Sequence, residues 1–297
     1  MYKRQIGVAA FAGCKKITSV DLSVLTKLTA IPDRMFSGCT ALTDVNFGDN
    51  SQVTSIGAQA FYSCQVLKKV KIPENSPITS IGQYAFYGCT SLEQFPFEQL
   101  PDVSTIGTYA FRDCSSLTSV DLSGMTELTE ISDNTFGDCS ALTDVNLGEN
   151  SYYINKIGNW AFQGTALQEF NFQNCPNLES IGVKAFNEAD LEKADLSNLT
   201  NLKTVGYGCF QNCTNLKEVS FKGCTNLKSI EWTSPEGGVF DKTPLKSVDF
   251  TDCSSLTDIG KRAFNNQTDL IEVKLDGCTS LISIADQAFY NLSLIHL

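Results

Sequence analysis

Apolar residues return along this chain on a fixed beat. The stretch Ile81-Gly82-Gln83-Tyr84-Ala85-Phe86-Tyr87-Gly88-Cys89 shows the order: an apolar leader and a glycine, then Ala-Phe, then a small or polar residue and a cysteine. The phrase recurs at Ile56 to Cys64, Ile106 to Cys114 and Ile131 to Cys139. Its phenylalanine falls at Phe11, Phe36, Phe61, Phe86, Phe111 and Phe136, always 25 residues apart, and continues at Phe162, Phe186, Phe210, Phe240, Phe264 and Phe289. A fixed period of this length signals a solenoid, in which each coil buries its apolar face only against its neighbours. Residues 1–297 therefore read as one solenoid of about twelve coils of ~25 residues, with Met1 to Gln5 outside any repeat column.

Within a coil, Leu117, Val120 and Leu122 have the spacing of a short inward-facing strand, with Val120 and Leu122 alternating at period two. A turn rich in Gly, Asn, Pro or Asp follows, and a second apolar pair, Leu128 and Ile131, begins the return. The phrase around each Phe is too short for a long helix and is expected to make one or two helical turns. On that reading the residue after the leader, usually Gly but Pro at Pro32, occupies the first helical position. The residue two beyond the Phe (Gly13, Gly38, Ser63, Gly88, Asp113, Asp138, Asn212) is the left-handed stop. Glu188 and Lys242 break this column and are not expected to be left-handed. The predicted class is an α/β solenoid. Short parallel strands line the concave face of a curved array, and short helical turns line the other.

Hydrophobic residues make up 42%, enough for a continuous core, and the net charge is -11. So acidic a chain repels phosphate backbones and anionic lipid, which argues against nucleic-acid and membrane-surface binding. No apolar run reaches the roughly 18 residues of a spanning helix. Phe-Ala-Gly-Cys at Phe11 to Cys14 looks like a lipobox but matches the repeat column by column. Neither end shows a polar capping coil, so the sequence is expected to be part of a longer array.

Leu-x-x-Val-x-Leu at Leu117 to Leu122 resembles the leucine-rich repeat core. The Asn/Cys column of that motif holds Asn50, Asn75, Asn150, Cys175, Cys224, Cys253 and Cys278, but also Leu25, Leu100, Met125 and Leu199. The Ile-Gly-x-x-Ala-Phe-x-x-Cys phrase resembles the BspA-like subclass over Ile6 to Leu297. The resemblance implies a noncatalytic surface or secreted protein associated with adhesion to host or neighbouring-cell proteins. It carries over no fixed binding residues.

The twelve cysteines follow the repeat. Seven share the column after Phe, where Thr165, Ala189, Thr243 and Leu292 also stand, so the column asks for a small apolar group and free buried thiols are expected. Only Cys209 and Cys213 lie close together and no His is near, so zinc is not expected. The single His is His296, around which no catalytic set can be assembled, and no glycine-rich phosphate loop occurs. Neither a cofactor nor a catalytic residue is assigned.

What remains is the outward side of the strands. If Val120 and Leu122 point in, Ser119 and Asp121 point out. The matching columns carry Asp21, Asp44, Asn46, Asp121, Asp144, Asn146, Glu169, Asn171 and Asp195, a mainly acidic strip interrupted by a basic island at Lys68, Lys69 and Lys71. An inserted stretch near Trp232 is a second candidate contact. The sequence thus points to an adhesin-like protein that engages a protein partner, or less favourably a glycan, through the strip. The alternative is a structural or scaffolding array without a discrete ligand site.

Overall fold

The computed structural model describes residues 6–49, 51–148, 151–230, 238–265 and 267–292. They form a parallel β-solenoid of about ten turns with almost no helix. The chain divides into two compact units, residues 1–148 and 149–297.

In the first unit the strands run β1 (Ser19–Asp21), β2 (Asp44–Asn46), β3 (Ser55–Ile56), β4 (Lys69–Lys71), β5 (Ser80–Ile81), β6 (Thr105–Ile106), β7 (Ser119–Asp121), β8 (Glu130–Ile131) and β9 (Asp144–Asn146). The three-residue strands pair in parallel as β1-β2-β4 and β7-β9, and the two-residue strands as β3-β5-β6. Register is column on column, with Val20 beside Val45 and Val120 beside Val145.

The second unit repeats the plan. Its strands are β10 (Lys156–Ile157), β11 (Ser180–Ile181), β12 (Lys193–Asp195), β13 (Thr204–Val205), β14 (Glu218–Ser220), β15 (Ser229–Ile230), β16 (Ser247–Asp249), β17 (Asp258–Ile259), β18 (Glu272–Lys274) and β19 (Ser283–Ile284). Here β12-β14-β16-β18 form one parallel ladder and β15-β17-β19 another.

The helical turns expected around each Phe do not form. Three i+3→i bonds fold the phrase into tight turns: Ala85 N–H to Gly82 O (3.2 Å), Tyr87 to Tyr84 (3.2 Å) and Cys89 to Phe86 (3.2 Å). The N–H groups between them leave the coil. Tyr84 donates to Thr108 O (3.1 Å), Phe86 to Ala110 O (2.7 Å) and Gly88 to Arg112 O (2.9 Å), all in the next coil. An α-helix would turn the donors beyond its first turn inward. Here alternate donors build a coil-to-coil ladder instead, and two residues per coil, such as Tyr84 (φ 57°) and Gly88 (φ 68°), are left-handed. The only helical pieces among the described residues are 3₁₀ turns at Phe97–Gln99 and Phe172–Asn174.

Three further expectations are corrected. Glu188 (φ 61°) and Lys242 (φ 57°) are left-handed after all; at Glu188 the ladder bonds from Phe186 N–H to Cys209 O and from its own N–H to Gln211 O, both 2.9 Å, hold that backbone shape whatever the side chain. The glycine after the leader is not a helix start. A Cβ on Gly82 would sit 2.6 Å from Ala58 N of the preceding coil, and one on Gly206 2.4 Å from Val183 N. The requirement is close backbone approach between coils. Finally, twelve phenylalanines mark about ten turns, since Phe11 precedes the first three-residue strand and Phe289 follows the last.

The core is a set of ladders. Phe86 and Phe111 stack at 5.1 Å, Phe61 and Phe86 at 5.0 Å, and Phe240 and Phe264 at 5.6 Å. Beside them runs a thiol ladder in which each cysteine donates to a phenylalanine carbonyl of the preceding coil: Cys89 to Phe61 O, Cys114 to Phe86 O and Cys139 to Phe111 O, each 3.2 Å. Burial raises the Cys64 thiol to about 12 and pushes Cys89, Cys114 and Cys139 well up.

Candidate functional site

The strand face is built by period two. In β2 and β4 the middle valine is buried and its neighbours are half-buried or exposed. This places Asp21, Asp44 and Asn46 side by side, with Ser19 opposite Asp44 and Asp21 opposite Asn46. It does the same for Asp121, Asp144 and Asn146, with Ser119 opposite Asp144 and Asp121 opposite Asn146. The two trios are separated within the first unit by β4 and the coil after it. Glu169, Asn171 and Asp195 belong to the second unit, and Trp232 lies outside the described residues.

The strip's two columns differ in their local bonding. The column at the end of each strand closes the turn that follows. Asp21 accepts from Ser23 N (3.0 Å), Asn46 from Gly48 N (3.0 Å), Asp121 from Ser123 N (2.9 Å) and Asn146 from Gly148 N (2.9 Å). Asn171, Asp195 and Asp249 do likewise. These are Asx turns, legible in the sequence as Asp or Asn two residues before Ser, Thr or Gly in every case but Asn171, which is followed by Gln173. Desolvation acts to raise the Asp121 carboxyl, but the Ser123 hydroxyl and amide and the Asn146 amide more than offset it, and the group sits below the usual carboxylate range. The column at the strand start, with Asp44, Asp144 and Glu169 exposed, has no such turn to close.

One coil in each unit breaks the three-residue ladder. At Phe95-Pro96-Phe97 the inward valine is replaced by Phe95, whose ring lies 4.9 Å from both Phe86 and Phe111. Phe97 N–H turns back to Phe95 O at 2.8 Å. The second unit repeats this at Phe170-Asn171-Phe172, where Phe172 N–H meets Phe170 O at 3.0 Å. Asn171 has the N–H that Pro96 lacks, so the shared cause is the Phe-x-Phe doublet and not the proline. In the first unit the break opens a shallow depression of about 670 Å³ between β4 and β7, bordered by the lysine island.

The stacked-turn side carries a group that the strip analysis missed. Tyr62 stacks on Tyr87 (5.1 Å), Tyr84 on Tyr109 (4.7 Å), and the Arg112 guanidinium lies 5.7 Å from the Tyr109 ring centroid. A hydrogen bond to Asp113, with burial, raises the Tyr87 phenol to about 12. The signal was the tyrosines' place in two repeat columns, one before and one after the Phe. Among the described residues no group of three His, Cys, Asp or Glu is placed to hold a metal ion, and no helix is long and apolar enough to cross a membrane.

Strand ladders, stacked turns and polar strip together define a leucine-rich repeat solenoid. The model of the BspA type leucine-rich repeat region matches residues 4–143, 54–175, 129–234 and 217–297, and the chain belongs to that family. No curated protein sequence matches it. Among solved structures it is similar to a leucine-rich repeat protein of Bacteroides ovatus, with 25% identity and a TM-score of 0.57 over 98% of this chain and 78% of that one. It is also similar in fold to the pneumococcal vaccine antigen PcpA, with 18% identity and a TM-score of 0.54 over 99% of this chain and 77% of that one.

Proposed function

We propose that the chain is a noncatalytic, adhesin-like repeat protein that engages a protein partner through its polar strand face. Proteins of this repeat family are generally noncatalytic. The observation that carries the reading is the division of labour in the strip. The strand-end carboxylates and amides are committed to the turns, while Asp44, Asp144 and Glu169 stand exposed and close no turn: Asp44 on β2, which is paired on both sides and where Thr43 donates to its carboxylate, Asp144 on β9, paired with β7, and Glu169 at the coil that breaks the ladder. Fixed, solvated charge of one sign selects and steers partners of the other.

A photo-crosslinking side chain at Ser19, beside Asp44, tests this against the same group at Arg34 on the stacked turns. Incubated with extracellular proteins, the Ser19 probe is expected to give a protein adduct that Asp44→Lys with Asp144→Lys removes. Equal adducts from both positions, or adducts indifferent to the charge reversals, would count against the strand face. The continuous coil-to-coil ladders favour a second reading, a structural array. Under it, removing a whole coil changes function and reversing Asp44 and Asp144 does not.

A further inference from the structure

We infer that the trough between β4 and β7 is a strand-addition site, where an extended segment of a partner protein pairs through its main chain with backbone groups that the break at Phe95-Pro96-Phe97 leaves open. The inference rests on the strand-face reading for the class of partner and on the broken ladder for the place.

One column of the ladder shows what the break leaves open. The N–H that follows each three-residue strand donates to the strand-end carbonyl of the next coil: Leu22 to Asn46 O (2.8 Å), Phe47 to Lys71 O (2.9 Å), Leu122 to Asn146 O (2.8 Å) and, in the second unit, Leu196 to Ser220 O (2.8 Å). Ile72 N–H holds that place after β4 and has no backbone acceptor. Asp121 O holds the carbonyl place at the end of β7 and has no backbone donor, because Phe97 N–H turns back to Phe95 O. Both residues border the trough. Two coil steps separate β4 from β7, roughly 9.6 Å, which is room for one strand between their edges.

The second unit supplies the comparison. It carries the same break at Phe170-Asn171-Phe172, but there Gln173 reaches to the next coil, and its Nε2 donates to Asp195 O (3.2 Å) and Ser197 O (2.8 Å). This side-chain amide replaces the donor that the ladder lost and closes the β12 edge. Its counterpart in the first unit, the residue after the second Phe, is Glu98. A carboxylate has no N–H to give; Glu98 only accepts, from Gln99 Nε2 at 3.5 Å. The β7 edge therefore stays open, and an open edge is a template for pairing with another chain.

The geometry also selects the occupant. The C=O and N–H of one trans peptide unit point in opposite directions. In a strand running parallel to β4 and β7, one such unit accepts from Ile72 N–H and donates to Asp121 O. In the intact ladder the donor to the strand-end carbonyl is the inward-facing residue, as with Phe47 and Leu122. Here the inward space is already filled by the Phe95 ring, 4.9 Å from both Phe86 and Phe111. The residue that donates to Asp121 must then be Gly or Ala. Side chains alternate along a strand, so the segment carries a small residue at every second position, each with a free N–H.

The test uses the full chain and the fluorescein-labelled peptide Ser-Ala-Thr-Ala-Thr-Ala-Ser, read by anisotropy. It is expected to bind at least about tenfold tighter than the same peptide N-methylated at its alanines, or with leucine in their place. Glu98→Gln, which supplies the closing amide of the second unit, should lower the affinity about tenfold while the urea midpoint holds. Hydrogen exchange reads the edge without a ligand. In the free chain the Ile72 amide should exchange faster than those of Phe47 and Leu122, and it should slow when the peptide is added. Equal binding of the N-methylated peptide would overturn the proposal. So would a Glu98→Gln chain that binds as the parent does, an Ile72 amide as protected as Phe47 in the free chain, or absence of binding by the alanine peptide. A partner adduct at Ser19 with no peptide binding would sink the strand site alone; peptide binding with no such adduct would uphold it and sink the contact through Asp44 and Asp144.

Discussion

Asn146 Nδ2 donates to Asp121 Oδ2 at 3.1 Å, and the same two columns meet at Asn46 and Asp21, 3.2 Å apart. The bond links neighbouring coils through side chains that also close their own turns, Asp121 with its other oxygen and Asp21 with the same Oδ1. Because the Asp121 carboxyl is held below its ordinary value, its ionised form stabilises the fold. A depressed carboxylate contributes stability that is present above the unfolded value of about 3.9 and is lost as pH falls through the folded one. Asp121→Asn keeps a turn acceptor but removes the charge. The variant is expected to be less stable than the parent near neutral pH, with the gap closing below about pH 4. Urea midpoints measured across that range check it; a gap independent of pH would show that the charge is irrelevant.

The glycine after each leader separates two causes that sequence alone cannot. Gly82 lies against the backbone of the preceding coil, whereas a Cβ on Gly124 would meet nothing within 4 Å. Gly82→Ala must push coils apart and is expected to cost about 1–3 kcal/mol or more. Gly124→Ala is expected to stay within about 0.5 kcal/mol. Similar losses at both sites, measured by urea unfolding, would remove close approach as the explanation.

The period, the inward Val and Leu columns and the stacking of Phe on Phe were legible because burial writes itself directly into residue type. The conformation of the Phe phrase was not. A left-handed residue normally announces itself as Gly or Asn, yet this ladder imposes positive φ on Tyr84, Lys184 and Glu188 alike. Local propensity was overridden by hydrogen bonds to acceptors 23 or 24 residues away in the next coil, which no short window contains. For the candidate site, the polar columns were readable from period two. Their Asx turns were present in the spacing Asp21 to Ser23 and Asp121 to Ser123 but were read as surface charge. The lysine island was visible, but the trough beside it was not, since it depends on how Phe95 and Phe97 displace a strand that the pattern would otherwise continue.

The thiol ladder predicts chemical silence. Burial raises the Cys64, Cys175, Cys213 and Cys224 thiols to about 12, and alkylation needs the thiolate. In native protein at about pH 8, only the half-buried Cys14 and Cys278 are expected to react with iodoacetamide, Cys278 slowly because burial raises its thiol as well. In denaturant without reductant, all twelve should be blocked. Rapid native labelling at Cys114, or a mass showing fewer than twelve adducts after denaturation, would contradict the ladder.

The phenylalanine column should grade its cost by position. Phe111 is fully buried and stacks on Phe86 at 5.1 Å and Phe136 at 5.8 Å, with Phe95 and Phe97 against it at 4.9 and 5.0 Å. Phe11 is 38% exposed, with Phe36 stacked on it at 5.5 Å. Truncating Phe111 to Ala removes a buried ring, together with its stacking contacts, and leaves a cavity that the rigid ladders on either side resist closing. A loss of about 3–5 kcal/mol is expected. Phe11→Ala forfeits a partly solvated ring and should cost well under half as much. Urea unfolding of both variants decides the matter. A Phe111→Ala loss below about 1 kcal/mol would mean that the core is not carried by the stacked rings. Equal losses at the two positions would mean that burial does not set the cost.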